Sequence, residues 1–289
     1  MTIFGLILRI LNTVLMIGIP AAAALLIYKR GKSGFRPIWI GAVVFVLSQV
    51  GHIPFNQFLM IPGLRALGVD VAAEGGVSLL VLGVVVGLSA GVFEEVARFL
   101  ALKFWLKKDA HTLLPVKYGI GHGGIEAIIF GFIPSLGMLV LFLMMGNGSA
   151  LSAFDSEQKV IVESLMDAYR AVPWQLSLLP AWERVSAMAF HIGASIIVYK
   201  GVREKKPLWL LIAVFGHTAI NAFAVIFASK MDIVLLEGII FLFSAGWLYW
   251  AWRIREIDPE EDLDLPVPDQ VQISAAQVTS EQIEESRYD

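Results

Sequence analysis

A group of polar side chains that could perform chemistry lies within otherwise apolar stretches of this chain. An ionisable group at membrane depth costs at least about 2.5 to 3.5 kcal/mol, so each needs a compensating interaction or a chemical role. Carboxylates accompanied by imidazoles and a carboxamide can activate water, hold a metal ion and stabilise an oxyanion. The group consists of Glu94, Glu95 and Arg98 in one stretch, His122 and Glu126 in the next, His191 in a third, and His217 and Asn221 in a fourth.

The spacing of these residues places the members of each stretch on one face of a helix. Glu94 precedes Arg98 by four positions, His122 precedes Glu126 by four, and the fourth stretch has the same separation. Residues four apart are neighbours on an α-helix. Glu94 and Glu95 point about 100° apart. Two interpretations follow: one carboxylate does chemistry while the other neutralises Arg98, or all these groups form ion pairs that hold helices together.

Four of the polar groups also lie at one depth along their helices. With a rise of about 1.5 Å per residue, Glu95, Glu126 and His191 lie roughly 12 to 13 Å from the lysine at the end of each stretch, and His217 lies roughly 15 Å from Pro207. A single buried imidazole is more often a satisfied core residue than a ligand. Because unrelated structural residues would scatter through the bilayer, the shared depth predicts one polar cavity.

The composition excludes several catalytic classes. The chain has no cysteine, which excludes disulfides, thiolate metal sites and a cysteine nucleophile. It has no H-E-x-x-H helix and no aspartate within an apolar stretch to supply an aspartyl dyad. The run Gly-Leu-Ser-Ala-Gly at 87–91 matches the serine nucleophile elbow, but that motif needs a strand-to-helix turn. Within an apolar helix the same run predicts close helix packing.

Seven apolar stretches must position the candidate site, and each is long enough to cross a hydrocarbon core of about 30 Å. Hydrophobic residues make up 57% of the 289 residues and charged residues 16%, with a mean hydropathy of +0.73. These values lie outside the usual range of soluble domains. We therefore predict an all-α, polytopic membrane protein. The stretches are 10–28, 38–62, 77–102, 118–145, 184–202, 208–229 and 233–252.

Basic residues are concentrated in alternate loops and predict the orientation. Because basic loops remain in the cytoplasm, we expect the N-terminus outside and the C-terminus in the cytoplasm. The transmembrane domain spans 1–255, and its outer loop at 147–180 is predicted to form either a short amphipathic helix or a folded linker. Residues 256–289 hold 11 of the 25 acidic and one of the 22 basic side chains, which predicts a disordered cytoplasmic tail.

The candidate residues occur in an order and grouping that resemble a known family, the YhfC intramembrane metallopeptidases. That family is related to the CAAX prenyl endopeptidase and bacteriocin-processing (CPBP) proteins, to the PrsW proteases and to the seven-helix scaffold subunit of gamma-secretase. The features that carry the resemblance are Glu94 and Glu95 followed by Arg98, the Gly-His-Gly-Gly-Ile-Glu run ending at Glu126, His191 after Arg184, and His217 with Asn221.

The resemblance implies a role for each matching residue. In the CPBP pattern a double Glu precedes an Arg, and later helices supply a His and then a His followed four residues on by Asn. By this resemblance Glu94 or Glu95 activates water, His191 and His217 bind a divalent metal such as zinc or stabilise the intermediate, and Asn221 supports the oxyanion.

The sequence departs from the CPBP pattern at two points. Two residues separate Glu95 from Arg98, where that pattern has three, and the additional Glu126 is closer to PrsW. Which carboxylate acts as the base therefore stays open. His122, four residues before Glu126, is a further candidate metal ligand.

We expect an intramembrane protease that acts on a membrane-associated peptide or protein within the lipid bilayer, as a multi-pass protein of the cell membrane with no nucleic-acid partner. A non-catalytic scaffold would use the same polar residues to hold helices and recruit a partner. A proton-coupled transporter would use them as a relay, although the sequence shows no inverted pair of broken helices.

Overall fold

The computed structural model describes residues 2–30, 33–109, 111–146 and 154–256, and all regular structure in these ranges is helical. Seven helices are long and apolar enough to cross a membrane, which confirms the predicted all-α fold. The predicted acidic tail, apart from Glu256, lies outside the described residues, and which end of each span faces the cytoplasm stays a prediction. The spans, first to seventh, are Ile3–Ile27, Arg36–Ala66, Gly76–Trp105, Leu114–Met145, Trp174–Glu204, Leu208–Phe227 and Ile233–Arg253.

Several spans extend beyond the apolar stretches that predicted them, because polar residues near a helix end leave its backbone hydrogen bonds intact. The first span begins at Ile3, where the Thr2 hydroxyl caps the helix by accepting from the backbone nitrogen of Gly5 at 3.1 Å. The fifth begins with a 3-10 turn at Trp174, and Pro180 then occupies the first turn of its α-helix, where a missing N–H breaks no bond.

The connection between the fourth and fifth spans contains the predicted short helix, Ser156–Ala171. Asp155 begins it with a capping box, because its side chain accepts from the backbone nitrogen of Gln158 at 2.8 Å while the Gln158 side chain accepts in return at 3.2 Å. Val162 and Met166, four residues apart, are buried. The helix therefore has one apolar face packed against the rest of the protein.

Two spans that carry polar residues contain a π-helical turn followed by a proline. The turns are Asn56–Met60 and Ala127–Phe132. A proline lies two positions after the end of each turn, at Pro62 and Pro134. A proline within a helix lacks an N–H and clashes with the carbonyl four residues earlier, which the wider π turn accommodates. The second turn begins directly after Glu126.

Close helix packing at glycines brings the site-bearing spans together. The third span packs on the sixth, and the fourth packs on both the second and the fifth. A Cβ atom at Gly87 would lie 2.6 Å from the backbone oxygen of Thr218, and one at Gly121 would lie 1.9 Å from that of Ile38. The packing interpretation of the 87–91 run is thereby confirmed, and glycine is required where these backbones touch.

Candidate active site

A cavity of about 390 Å³ lies between the second to seventh spans, within the size range of small-molecule binding pockets. Five of the eight residues singled out from the sequence line it: Glu94, Glu126, His191, His217 and Asn221. The other three, Glu95, Arg98 and His122, are completely buried and contact the lining residues. The structure therefore brings all eight into one region, in two layers.

Glu94 is the member of the acidic pair that reaches the cavity. Its Oε1 accepts a hydrogen bond from Nε2 of Gln49 at 2.9 Å. Its Oε2 lies 3.1 Å from Nε2 of His122 and 3.9 Å from Nε2 of His217. One oxygen is thus held by an amide, and the other faces two imidazoles.

Glu95, in contrast, is enclosed by protein on all sides. Its Oε2 pairs with Nε of Arg98 at 2.9 Å, although the two atoms are not aligned as a hydrogen bond. Its Oε1 accepts from Nδ1 of His217 at 2.9 Å. Because both oxygens are taken, Glu95 serves as a counter-ion to Arg98 and fixes the orientation of the His217 ring, leaving the other ring nitrogen directed at Glu94.

The Arg98 guanidinium connects the third span to the fifth. Its Nη1 donates to the backbone oxygen of His191 at 2.7 Å and to Oγ of Ser195 at 2.5 Å. Its Nη2 lies 3.0 Å from Nδ1 of His191 and 3.4 Å from Nε2 of His122. Arginine only donates, so Nδ1 of His191 must accept this bond. A neutral His191 therefore carries its proton on Nε2.

Glu126 stands on the other side of His191. Its Oε2 lies 2.5 Å from Nε2 of His191, and its Oε1 lies 3.2 Å from Nη1 of Arg184. Arg184 also contacts the carboxylate of Glu183, its neighbour in the chain. Glu126 is thus a cavity-lining carboxylate between an imidazole and a guanidinium.

A metal ion would find three donors close together in this region. One ligand atom from each of Glu94, His122 and His191 lies within 4.8 Å of the other two, and all three side chains are buried. Two imidazoles with one carboxylate form the ligand set of a common class of catalytic zinc site. Four carboxylates lie beside two guanidiniums in this region, and the formal excess of negative charge favours a cation. The carboxylates are those of Glu94, Glu95, Glu126 and Glu183.

The spacing and the donor types therefore fit a divalent metal, with one rearrangement. Both ring nitrogens of His191 are engaged at present, one by Arg98 and the other by Glu126. Binding through His191 would require one of these contacts to be released. His217 is placed differently, because its Nδ1 is bonded to Glu95 and its Nε2 has no closer polar partner than Glu94 at 3.9 Å among the described residues.

Sequence reasoning named no residue of the second span, yet that span supplies part of the cavity wall. Gln49 and His52 both line the cavity, and Asn56 contacts His52 at 2.9 Å. Their spacing of three and four positions within the apolar stretch 38–62 is the same one-face signal that identified the other helices. Asn221 lines the cavity as predicted, but its side chain makes no hydrogen bond within the described part of the chain.

The chain is similar in sequence to known proteins over most of its length. The sequence profile of the YhfC intramembrane metalloprotease family matches residues 13–240. The uncharacterized membrane protein YhfC of Bacillus subtilis is 28% identical over 179 residues, which cover 59% of this chain and 67% of that protein. No solved structure matches. Since the matched region contains every span from the second to the sixth and all the residues of the site, the chain belongs to the YhfC intramembrane metalloprotease family.

Proposed function

We propose that this protein is an intramembrane metalloprotease of the cell membrane, which hydrolyses a peptide bond in a membrane-associated peptide or protein. The observation that carries the proposal is the buried group of Glu94, His122 and His191, with ligand atoms within 4.8 Å of one another beside a cavity. In a chain of this family, such a group supports a metal-dependent hydrolase more strongly than a set of structural ion pairs.

Glu94, His122 and His191 would hold the metal, a divalent ion such as zinc. When bound, a metal of this type lowers the pKa of its water ligand to about 7 and polarises a carbonyl oxygen. The chain itself supplies burial and fixed orientation. Gln49 holds one oxygen of Glu94 at 2.9 Å, so that the other oxygen is the one directed at the imidazoles.

Glu126 is the carboxylate placed to move the proton. It lines the cavity and is not needed as a ligand. In this proposal the oxygen of water attacks the carbonyl carbon of the substrate while Oε2 of Glu126 accepts the proton. The same atom then gives the proton to the leaving amide nitrogen as the carbon–nitrogen bond breaks. Arg184, 3.2 Å from Oε1, orients the carboxylate for both steps.

His217 and Asn221 are placed to stabilise the oxygen of the tetrahedral intermediate. For this role His217 acts as an imidazolium, which donates from Nδ1 to Glu95 and from Nε2 to the intermediate. Both line the cavity, one turn apart on the sixth span. Hydrogen-bond donors aimed at a developing oxyanion contribute about 2.7 to 4 kcal/mol to transition-state stabilisation. The pair of Glu95 and His217, joined at 2.9 Å, keeps the imidazole ring in position for this role.

The test combines metal analysis with a cleavage assay. The full chain, purified in detergent, should carry about one zinc or comparable ion per molecule, and proteoliposomes should cleave a membrane-spanning peptide library. Glu126→Gln should reduce turnover by about 10²-fold or more while keeping the metal, whereas His122→Ala should lose the metal. Glu163→Gln, the same change at an exposed position of the helix Ser156–Ala171, is the control.

A scaffold would behave differently in the same experiment. It would bind no metal, and Glu126→Gln would leave its cellular function intact at normal expression. A metal-free wild-type protein whose Glu94→Gln and Glu126→Gln variants retain cellular function would therefore overturn the proposed activity.

A further inference from the structure

A chain of polar side chains runs from the third span through the second and ends on Glu94. Ser89 donates to Oδ1 of Asn56 at 2.5 Å, and Nδ2 of Asn56 lies 2.9 Å from Nε2 of His52. Nδ1 of His52 lies 3.1 Å from Oε1 of Gln49, whose Nε2 donates to Oε1 of Glu94 at 2.9 Å. Four consecutive contacts thus connect Ser89 to Glu94.

The direction of each hydrogen bond in this chain is determined by its neighbours. An amide nitrogen only donates, so Nε2 of His52 must accept from Asn56. A neutral His52 then has its proton on Nδ1 and donates to the Gln49 oxygen. The Gln49 amide is left with its NH2 group toward Glu94, as that carboxylate requires. Rotating either amide by 180° would place two donors or two acceptors against each other.

Burial and aromatic packing hold the central member in place. His52 is 9% exposed and Ser89 is 7% exposed. The ring of Phe93, the residue before Glu94, stacks on the imidazole of His52 with ring centroids 5.4 Å apart. Gly51 allows this approach, because a Cβ atom there would lie 3.1 Å from the Phe93 ring.

We infer that Gln49 and His52 are positioning residues for Glu94, with His52 acting through Gln49. The imidazole fixes the orientation of the Gln49 amide, and the amide fixes Oε1 of Glu94, so that Oε2 faces His122. The inference deepens the proposed function, on which its consequence for metal binding and turnover rests. A proton relay along this chain of hydrogen bonds is excluded, because the two amide groups, those of Asn56 and Gln49, neither take up nor release a proton.

A purely helix-joining role makes a different prediction. The bond between Asn56 and Ser89 would join the second and third spans without any contact to Glu94. If the chain only joined helices, removing His52 and removing Gln49 would have independent effects. If His52 acts through Gln49, removing His52 has no further effect once Gln49 is gone.

The infrared absorption of the Glu94 carboxyl group tests this directly, in the full metal-free protein. The band is obtained for each variant by subtracting the spectrum of the same variant carrying Glu94→Gln. Gln49→Met and His52→Phe keep volume and, for the second, ring stacking. Both should shift the band in the same direction. The double variant should match Gln49→Met alone, and Ser244→Ala, a buried polar change on the seventh span, should leave the band in place.

The affinity for Co²⁺ provides a second readout. Gln49→Met should weaken binding about 10- to 100-fold, as for other groups that orient a metal ligand. His52→Phe should weaken it in the wild-type background and not in the Gln49→Met background. Gln49→Leu, which also removes both polar atoms of the amide, should give the same infrared non-additivity if Gln49→Met fails to fold.

The outcomes separate this inference from the proposed function. An unshifted band in Gln49→Met, or shifts that add in the double variant, would overturn the positioning role even if the wild-type protein cleaves peptides. Non-additive shifts in a protein that cleaves no peptide would support the positioning role and count against the protease.

Discussion

The two adjacent carboxylates provide a matched pair of substitutions. Glu94 and Glu95 are neighbours in one helix, so Glu94→Gln and Glu95→Gln change side chains at nearly the same depth with the same loss of charge. Their surroundings differ, since Glu94 lines the cavity and Glu95 is fully enclosed. We predict that Glu95→Gln mainly reduces stability and that Glu94→Gln mainly reduces metal affinity.

The loss of stability expected for Glu95→Gln follows from the two partners of the Glu95 carboxylate. Both Nε of Arg98 and Nδ1 of His217 are donors that lie 2.9 Å from a Glu95 oxygen. A glutamine can accept only through one of its two terminal atoms, so its NH2 group must face one of these donors. Arg98 also loses the carboxylate with which it is paired. Breaking a fully buried ion pair costs about 3 to 5 kcal/mol, and we expect the free energy of unfolding to fall by this amount.

The expected loss in the free energy of unfolding is smaller for Glu94→Gln. The new amide oxygen still accepts from Gln49, and the new NH2 group can donate to Nε2 of a neutral His122 imidazole, so the side chain at position 94 keeps both of these contacts. A neutral hydrogen bond contributes about 0.5 to 1.5 kcal/mol, so we expect a loss of about 1 kcal/mol. Metal affinity should fall at least about 100-fold, because even groups that only orient a ligand cost 10- to 100-fold.

The assay is a titration of the unfolded fraction with SDS in mixed micelles, together with Co²⁺ binding to the same preparations. We expect the unfolding free energies of the two variants to differ by at least about 2 kcal/mol, with Glu95→Gln the less stable. Equal destabilisation by Glu94→Gln and Glu95→Gln, or wild-type Co²⁺ affinity in Glu94→Gln, would refute the assignment of roles.

Three further predictions concern other parts of the molecule. Arg98→Ala strands a buried carboxylate and should destabilise by about 3 to 5 kcal/mol in the same SDS titration; a loss below about 1 kcal/mol would contradict it. Gly121→Ala should abolish folded yield, because its Cβ would meet backbone at 1.9 Å, whereas Gly137→Ala, with nothing within 4 Å, should not. A cysteine introduced at Ser156 should react with an impermeant reagent from outside, and one introduced at Ser274 should not. Labelling with the opposite sidedness would show that the predicted orientation is wrong.

Much of the fold could be predicted from the sequence because each membrane span is encoded locally. A bilayer requires about 20 consecutive apolar residues with their backbone hydrogen bonds made internally, and this signal needs no knowledge of the partners. The helix ends were less predictable. The first span begins at Ile3 instead of residue 10, because a capping hydroxyl and backbone hydrogen bonds, rather than hydropathy, decide where a helix starts.

The residues of the site could likewise be predicted from residue type, spacing and depth, but the separate role of each residue could not. Spacing placed Glu94 and Arg98 on one side of the third span, but it did not indicate which glutamate would form the ion pair with Arg98. In the structure the ion pair forms with Glu95, three positions before Arg98, and Glu94 turns to the cavity. The contribution of Gln49 also went unrecognised, because its role depends on a contact 45 positions away in the chain.

The sequence by itself determined the seven spans, the helical face on which each polar group lies, and the common level of those groups. Periodicity describes each helix separately, however, and leaves its rotation and register relative to the others undefined. Only the tertiary structure decided these, through backbone contacts such as that of Gly121 against Ile38. Because such contacts join residues far apart in the chain, the choice of Glu94 over Glu95 as the cavity carboxylate is a property of the packed helices and not of the local sequence.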